Sequence, residues 1–142
     1  MGHSTRRLMM GAGGKKDPTY LDDVFSTYIY EGNQTARTIT NGIDLAGEGG
    51  MVWITNRVGS WGRNIFDTNR GTGKMIRANN NGAQSQASFT LNAFNNNGFG
   101  LGNDSMTNAN GGTTVSWTFR KQKGFFDVVT YTGTGSAQTL AH

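Results

Sequence analysis

No stretch of this chain runs far before a cluster of glycine and asparagine interrupts it, and between the clusters Thr, Val, Ile, Phe, Tyr and Trp are prominent. Glycine (22 residues) and asparagine (15 residues) are poor helix formers but readily take the positive-φ corners of turns. The intervening residues favour strands. Long helices are therefore excluded, and the pattern predicts strands at 24–31, 36–40, 51–56, 64–68, 74–78, 87–94, 115–121, 127–132 and 137–140. A turn signal about every 8–14 residues is the spacing of a sandwich or barrel. The predicted fold class is all-β, a sandwich or barrel with an extended N-terminal arm.

Alternation supports the strands. Trp117 and Phe119 fall on one face, with Ser116, Thr118 and Arg120 on the other. Phe89, Leu91 and Ala93 alternate in the same way with Ser88, Thr90 and Asn92, and Trp53 lies within the apolar run Met51-Val52-Trp53-Ile54. The predicted core is Trp53, Phe66, Phe89, Leu91, Trp117 and Phe119.

At 142 residues the chain has the length of one domain plus an arm. Apolar residues make up 35% of it, against a usual ~45–50%. So thin a core favours a homo-oligomer, a trimer first, in which an interface buries what the monomer leaves exposed. With no cysteine, disulfides and thiolate metal sites are excluded. The sequence has neither a membrane-length apolar run nor the apolar stretch of a signal peptide, so the expectation is a soluble chain made in the cytoplasm.

The net charge of +4 is unevenly placed. Residues 1–16 hold Arg6, Arg7, Lys15 and Lys16 and no acid, whereas from Asp17 onward nine basic residues face nine acidic ones. The body is thus neutral, which argues against a nucleic-acid partner, since such proteins carry a basic face on the folded body. Gly2, Gly11, Gly13 and Gly14 loosen the arm, and Leu8, Met9 and Met10 are its only apolar anchors. The reading is a flexible docking peptide (1–16), a sandwich unit (17–123) and a terminal segment (124–142).

That terminal segment resembles the first strand region. Aligned without a gap at an offset of 101 residues, Phe126, Tyr131, Gly133, Ala137 and Thr139 repeat Phe25, Tyr30, Gly32, Ala36 and Thr38, and Leu140 stands for Ile39. Residues 124–142 are accordingly either the start of a second repeat or a hairpin that pairs beside the first in one sandwich.

Residues suited to catalysis are sparse. His3 and His142 lie near the ends of the sequence, away from any core that would position a base, which argues against a Ser-His-Asp triad or a zinc site. The only adjacent acids, Asp22 and Asp23, precede a strand in which neighbours face opposite ways, and Asp44, Glu48, Asp67 and Asp104 are scattered. Arg70-Gly71-Thr72-Gly73-Lys74-Met75 lacks the first glycine and the hydroxyl of a phosphate loop, and Gly98-Phe99-Gly100-Leu101-Gly102 lacks dinucleotide spacing, so both read as turns or bulges. Asn103, Asp104, Asn108 and Asn110 offer a cation one carboxylate, too little charge for calcium, and read as a solvated loop. No cofactor or metal is expected, and the chain reads as a non-enzyme. Trp61, between Gly59-Ser60 and Gly62-Arg63, is a loop aromatic that either packs locally or, with Arg63, contacts a glycan or a partner.

Several segments together resemble a known family. They are Tyr20-Leu-Asp-Asp-Val-Phe-Ser-Thr-Tyr28, Asn41-Gly-Ile-Asp-Leu-Ala-Gly-Glu-Gly-Gly-Met-Val-Trp-Ile54, Phe66-Asp-Thr-Asn-Arg-Gly71, Phe94-Asn-Asn-Asn-Gly-Phe-Gly-Leu-Gly-Asn-Asp104, Val115-Ser-Trp-Thr-Phe-Arg-Lys121 and Phe125-Phe-Asp-Val-Val-Thr-Tyr-Thr-Gly133. In order and spacing they are similar to the repeated concanavalin-like β-sandwich domains of structural and tail-fibre proteins of marine tailed bacteriophages, cyanophages included. The resemblance covers roughly residues 19–142. It implies an antiparallel β-sandwich of jelly-roll, concanavalin-like type and a virion structural protein, made in the host cytoplasm and placed at the tail as part of a fibre or on the capsid as a decoration protein. Its partners would be other virion proteins, a tail adaptor or nozzle or the capsid, and host surface polysaccharide if the body is lectin-like. In that family the segment like 126–142 opens a further sandwich, and no catalytic residues are implied.

Overall fold

The computed structural model describes residues 19–59 and 62–142. A single turn of helix, α1 (Leu21–Val24), leads into β1 (Phe25–Glu31) and β2 (Arg37–Thr40). Then follow β3 (Gly50–Asn56), β4 (Arg63–Asp67), β5 (Lys74–Arg77), β6 (Ser85–Gln86), β7 (Leu91–Asn95) and β8 (Gly98–Leu101). A second helical turn, α2 (Ser105–Asn108), precedes β9 (Thr113–Arg120). Six strands form one sheet in the order β1-β9-β3-β4-β5-β6, and three form the other in the order β2-β8-β7. Every pairing is antiparallel. The two sheets pack into a β-sandwich around Tyr30, Ile39, Ile43, Leu45, Val52, Ile54, Phe66, Met75, Leu91, Phe99 and Leu101.

The larger sheet shows why the predicted core needs correction. Phe66 and Leu91 are fully buried. On β9, however, the inward row is Thr114, Ser116 and Thr118, all buried, and Trp117 and Phe119 point to the outer face. Register places Trp53 beside Trp117 and Met51 beside Phe119, so Trp53 is on that outer face too, half-buried, while Val52 and Ile54 enter the core. Alternation established which residues share a face but not which face points inward. The hydroxyl row is tolerated inside because it finds partners: Thr118 Oγ1 accepts from Asn41 Nδ2 at 2.8 Å, and Ser116 Oγ donates to the Tyr28 carbonyl at 3.4 Å.

Phe89 is the second correction, since it is 53% exposed. The strand predicted from residue 87 begins at Leu91, because residues 87–90 form a turn in which Thr90 Oγ1 donates to the Ala87 carbonyl at 2.7 Å. Thr90 is buried in place of Phe89, and a bulge between Leu91 and Ala93 shifts the register further.

Read as a turn, Gly98–Leu101 is instead the fully buried central strand of the smaller sheet. Phe99 and Leu101 supply the core, and the glycines admit neighbouring backbone. A Cβ on Gly98 would lie 2.0 Å from the Ile39 carbonyl oxygen. Nor is the Asn-rich segment after it a solvated loop: Asp104 caps α2 by accepting from the Met106 amide at 2.6 Å, and Asn108 is fully buried.

Residues 127–142 join neither sheet and form no strand, contrary to the strands predicted at 127–132 and 137–140. A hairpin beside the first would lie against β1 and β2, the edge strands of their sheets, and no described strand lies there. An antiparallel bridge between Gln122 and Phe126 turns the chain, and Asn69 Nδ2 donates to the Val128 carbonyl at 2.6 Å. Lys121 Nζ lies 3.1 Å from Asp127 Oδ1. The hydrogen bond from Lys121, with that from the Val128 amide, holds the Asp127 carboxyl below its ordinary range. Because the folded pKa is depressed, this tether is complete above the ordinary carboxylate pKa and is lost as pH falls through the lowered one. Acidification is therefore expected to release residues 128–142, read as sharpening of their amide resonances while those of β9 stay unchanged.

Candidate functional site

The outer face of the six-stranded sheet carries an unusual amount of apolar surface, laid out in rows across the strands. Register puts Phe25, Phe119 and Met51 in one row, Thr27, Trp117, Trp53, Ile65 and Ile76 in the next, and Ile29, Val115, Thr55 and Arg63 in a third. The two ends of this face are treated differently. Over the first row the chain folds back after β9, stacking Phe126 on Phe119 at 5.1 Å and Phe125 at 6.5 Å, with Phe25 at 4.9 Å on the other side. That end is closed by the chain itself.

The other end stays open as a shallow groove of about 580 Å³ lined by Ile29, Trp53, Thr55, Arg57, Arg63, Val115 and Trp117. Its floor is the indole pair, with ring centroids 5.4 Å apart and planes tilted by 55°. Ile29 stands at one wall, 60% exposed. Arg57 and Arg63 flank the β3–β4 connection and are exposed, their backbones fixed by bonds from the Arg57 amide to the Thr113 carbonyl at 2.8 Å and from the Arg63 amide to Asn79 Oδ1 at 3.2 Å. Neither guanidinium has an ion-pair or hydrogen-bond partner among the described residues. Trp53 Nε1 and Thr55 Oγ1, two residues apart on the same face of β3, are buried beneath the groove surface and have no hydrogen-bond partner among the described residues.

Of the predicted contact residues, Arg63 thus sits at the rim of this groove, and Trp61 lies outside the described residues. So do the docking residues Arg6, Arg7, Leu8, Met9, Met10, Lys15 and Lys16. Ile29, Thr55, Arg57 and Val115 were not anticipated. Their signal was present in β3, where Met51, Val52, Trp53 and Ile54 are apolar on both faces of one strand and so require cover on both sides.

The acids are used locally. Asp44 accepts from the Gly47 amide at 2.8 Å, Asp67 pairs with Arg70, and Asp104 caps α2. Among the described residues no three His, Cys, Asp or Glu side chains converge as a metal site would require. No helix among them is long and apolar enough to cross a membrane. Tyr30 is the strongly perturbed buried group: burial pushes its hydroxyl far above the ordinary range and keeps it a donor, at 2.6 Å to the Thr107 carbonyl.

Residues 21–142 match a domain of unknown function, DUF7483, from α1 to the last residue. The chain belongs to the DUF7483 family. No curated protein and no solved structure matches it. In DUF7483 terms the matched region contains both sheets, the groove and the segment after β9.

Proposed function

We propose that this DUF7483 chain is a non-enzymatic structural protein of a tailed-bacteriophage particle, the tail-attached part of a fibre, with an oligomer, a trimer first, as its working state. The observation that supports the reading best is a sandwich whose described acids largely serve turns, caps and tethers, while an aromatic groove opens outward from a sheet face. Such a body is suited to projecting and contacting rather than to catalysis. The resemblance across residues 19–142 to phage structural sandwiches supports the same reading, and residues 1–16 supply a peptide for docking to an adaptor or nozzle protein. Charge on Arg6, Arg7, Lys15 and Lys16 would steer the arm, and Leu8, Met9 and Met10 would anchor it.

Leu8→Asp, or deletion of residues 2–14, is expected to abolish incorporation into particles while the purified chain still folds. Immunoblots of purified particles read the first, and thermal unfolding the second; normal incorporation of both variants would sink the docking role. Copy number separates tail from capsid, since tail components occur in small multiples of three or six and decoration proteins in hundreds. The groove favours a second reading, recognition of host polysaccharide by the body.

A further inference from the structure

We propose that the open groove on the outer face of the larger sheet binds an acidic saccharide, with sugar rings over Trp53 and Trp117 and ring carboxylates held by Arg57 and Arg63. Two observations converge on that ligand. Among the described residues, the chain covers one end of this face with Phe125 and Phe126, and none covers the indole pair toward the other. At that end stand two exposed guanidiniums without a described partner, and no described carboxylate lines the groove. The nearest acid by register, Glu31, is on β1, two strands from Arg57 and so roughly 10 Å away.

Each part of this site matches one property of the proposed ligand. Sugar rings present C–H faces that lie on indoles, as the mixed apolar and polar character of half-buried tryptophans suits. Arginine forks bind planar carboxylates in two-point fashion, and an anion meets no competing acid here. Size also discriminates. A groove of about 580 Å³ with seven lining residues is in the usual range for a small ligand. A stable protein interface takes about 20–30 residues a side. The larger recess beside Phe125 and Phe126 is a weaker site for an anion, because the carboxylates of Glu48 and Asp127 line it and Asp127 already pairs with Lys121.

The test is a titration of the full chain with oligogalacturonate and oligosialate, with malto-oligosaccharides as the neutral control, followed by indole fluorescence and calorimetry. The acidic oligomers are expected to bind and the neutral ones to bind at least roughly tenfold more weakly. Arg57→Gln and Arg63→Gln should each weaken acidic binding roughly tenfold, with no change in the unfolding midpoint, because both side chains are exposed. Equal binding of neutral and acidic sugars, acidic binding indifferent to both arginines, or no sugar binding would each overturn the proposal. So would self-association of the chain that the arginine substitutions abolish, since the face would then be a protein interface. None of these readouts involves a particle, so the saccharide site and the virion role can fail separately.

Discussion

Gly32→Val is expected to cost roughly 3 kcal/mol or more, enough to leave much of a marginal domain unfolded, whereas Gly133→Val, at the matching position of the repeat, should leave stability unchanged. A Cβ on Gly32 would lie 2.1 Å from the Ala109 carbonyl oxygen and 2.7 Å from the Asn108 carbonyl carbon. These atoms are backbone and are pinned. The Gly32 amide donates to the Gly112 carbonyl at 2.9 Å, and the Gly111 amide donates to the Gly32 carbonyl at 2.9 Å. Relief of the clash would have to separate the β1–β2 connection from the loop before β9, breaking both bonds. Gly133 has nothing within 4 Å of a built Cβ. Urea unfolding of the two variants checks the contrast. Similar losses in both would mean that residues 126–140 pack as β1 and β2 do.

Asn108→Leu should be nearly as damaging, at about 3–5 kcal/mol. The side chain is fully buried and joins three backbone segments. Its Oδ1 accepts from the Asn33 amide at 3.0 Å, and its Nδ2 donates to the Thr35 carbonyl at 2.8 Å and the Gly102 carbonyl at 2.9 Å. Leucine of similar volume leaves all three groups without this partner, each unmade bond costing about 1–3 kcal/mol where water cannot replace it. Asn108→Asp keeps the shape but turns the donor into a charged acceptor facing two carbonyls. A carboxyl so placed has a folded pKa above its unfolded one, so the variant loses stability as pH rises past the ordinary carboxylate range and recovers part of it in acid. Thermal melts across that range would show the slope, and a flat profile would mean that water reaches the site. Gly32 and Asn108 serve one junction, so their effects should not add.

Much of the sandwich was legible because its strands obey local rules. β3 and β5 were delimited to within a residue or two by apolar runs between turn residues. β8 was not, because a strand of alternating glycine and apolar residues looks like a loop until neighbouring backbones are known to press against it. The direction of β9 was misjudged for a different reason. Thr114, Ser116 and Thr118 form the inner row only because Asn41 and the neighbouring strand supply partners, and those arrive from distant sequence. The groove inherits that difficulty: its tryptophans were visible, but their outward aim depends on which face the smaller sheet covers. Arg63 was found from its loop, whereas Arg57 reaches the same groove only through the return of the chain from β3 to β4.

The pairing of β9 with both β1 and β3 also governs the order of assembly. Phe25 is opposite Phe119 and Glu31 opposite Thr113, so among the described strands β1 waits for β9 before it has a neighbour in its sheet. On the ribosome, β3, β4 and β5 can pair as they emerge, but the larger sheet closes only when β9 has left the exit tunnel. Loop-closure entropy spent so late makes folding slow for a domain of this size. Substitutions in β9 that weaken its pairing should then act on the rate of folding as much as on its equilibrium, and β1 is the strand exposed to mispairing in the interval.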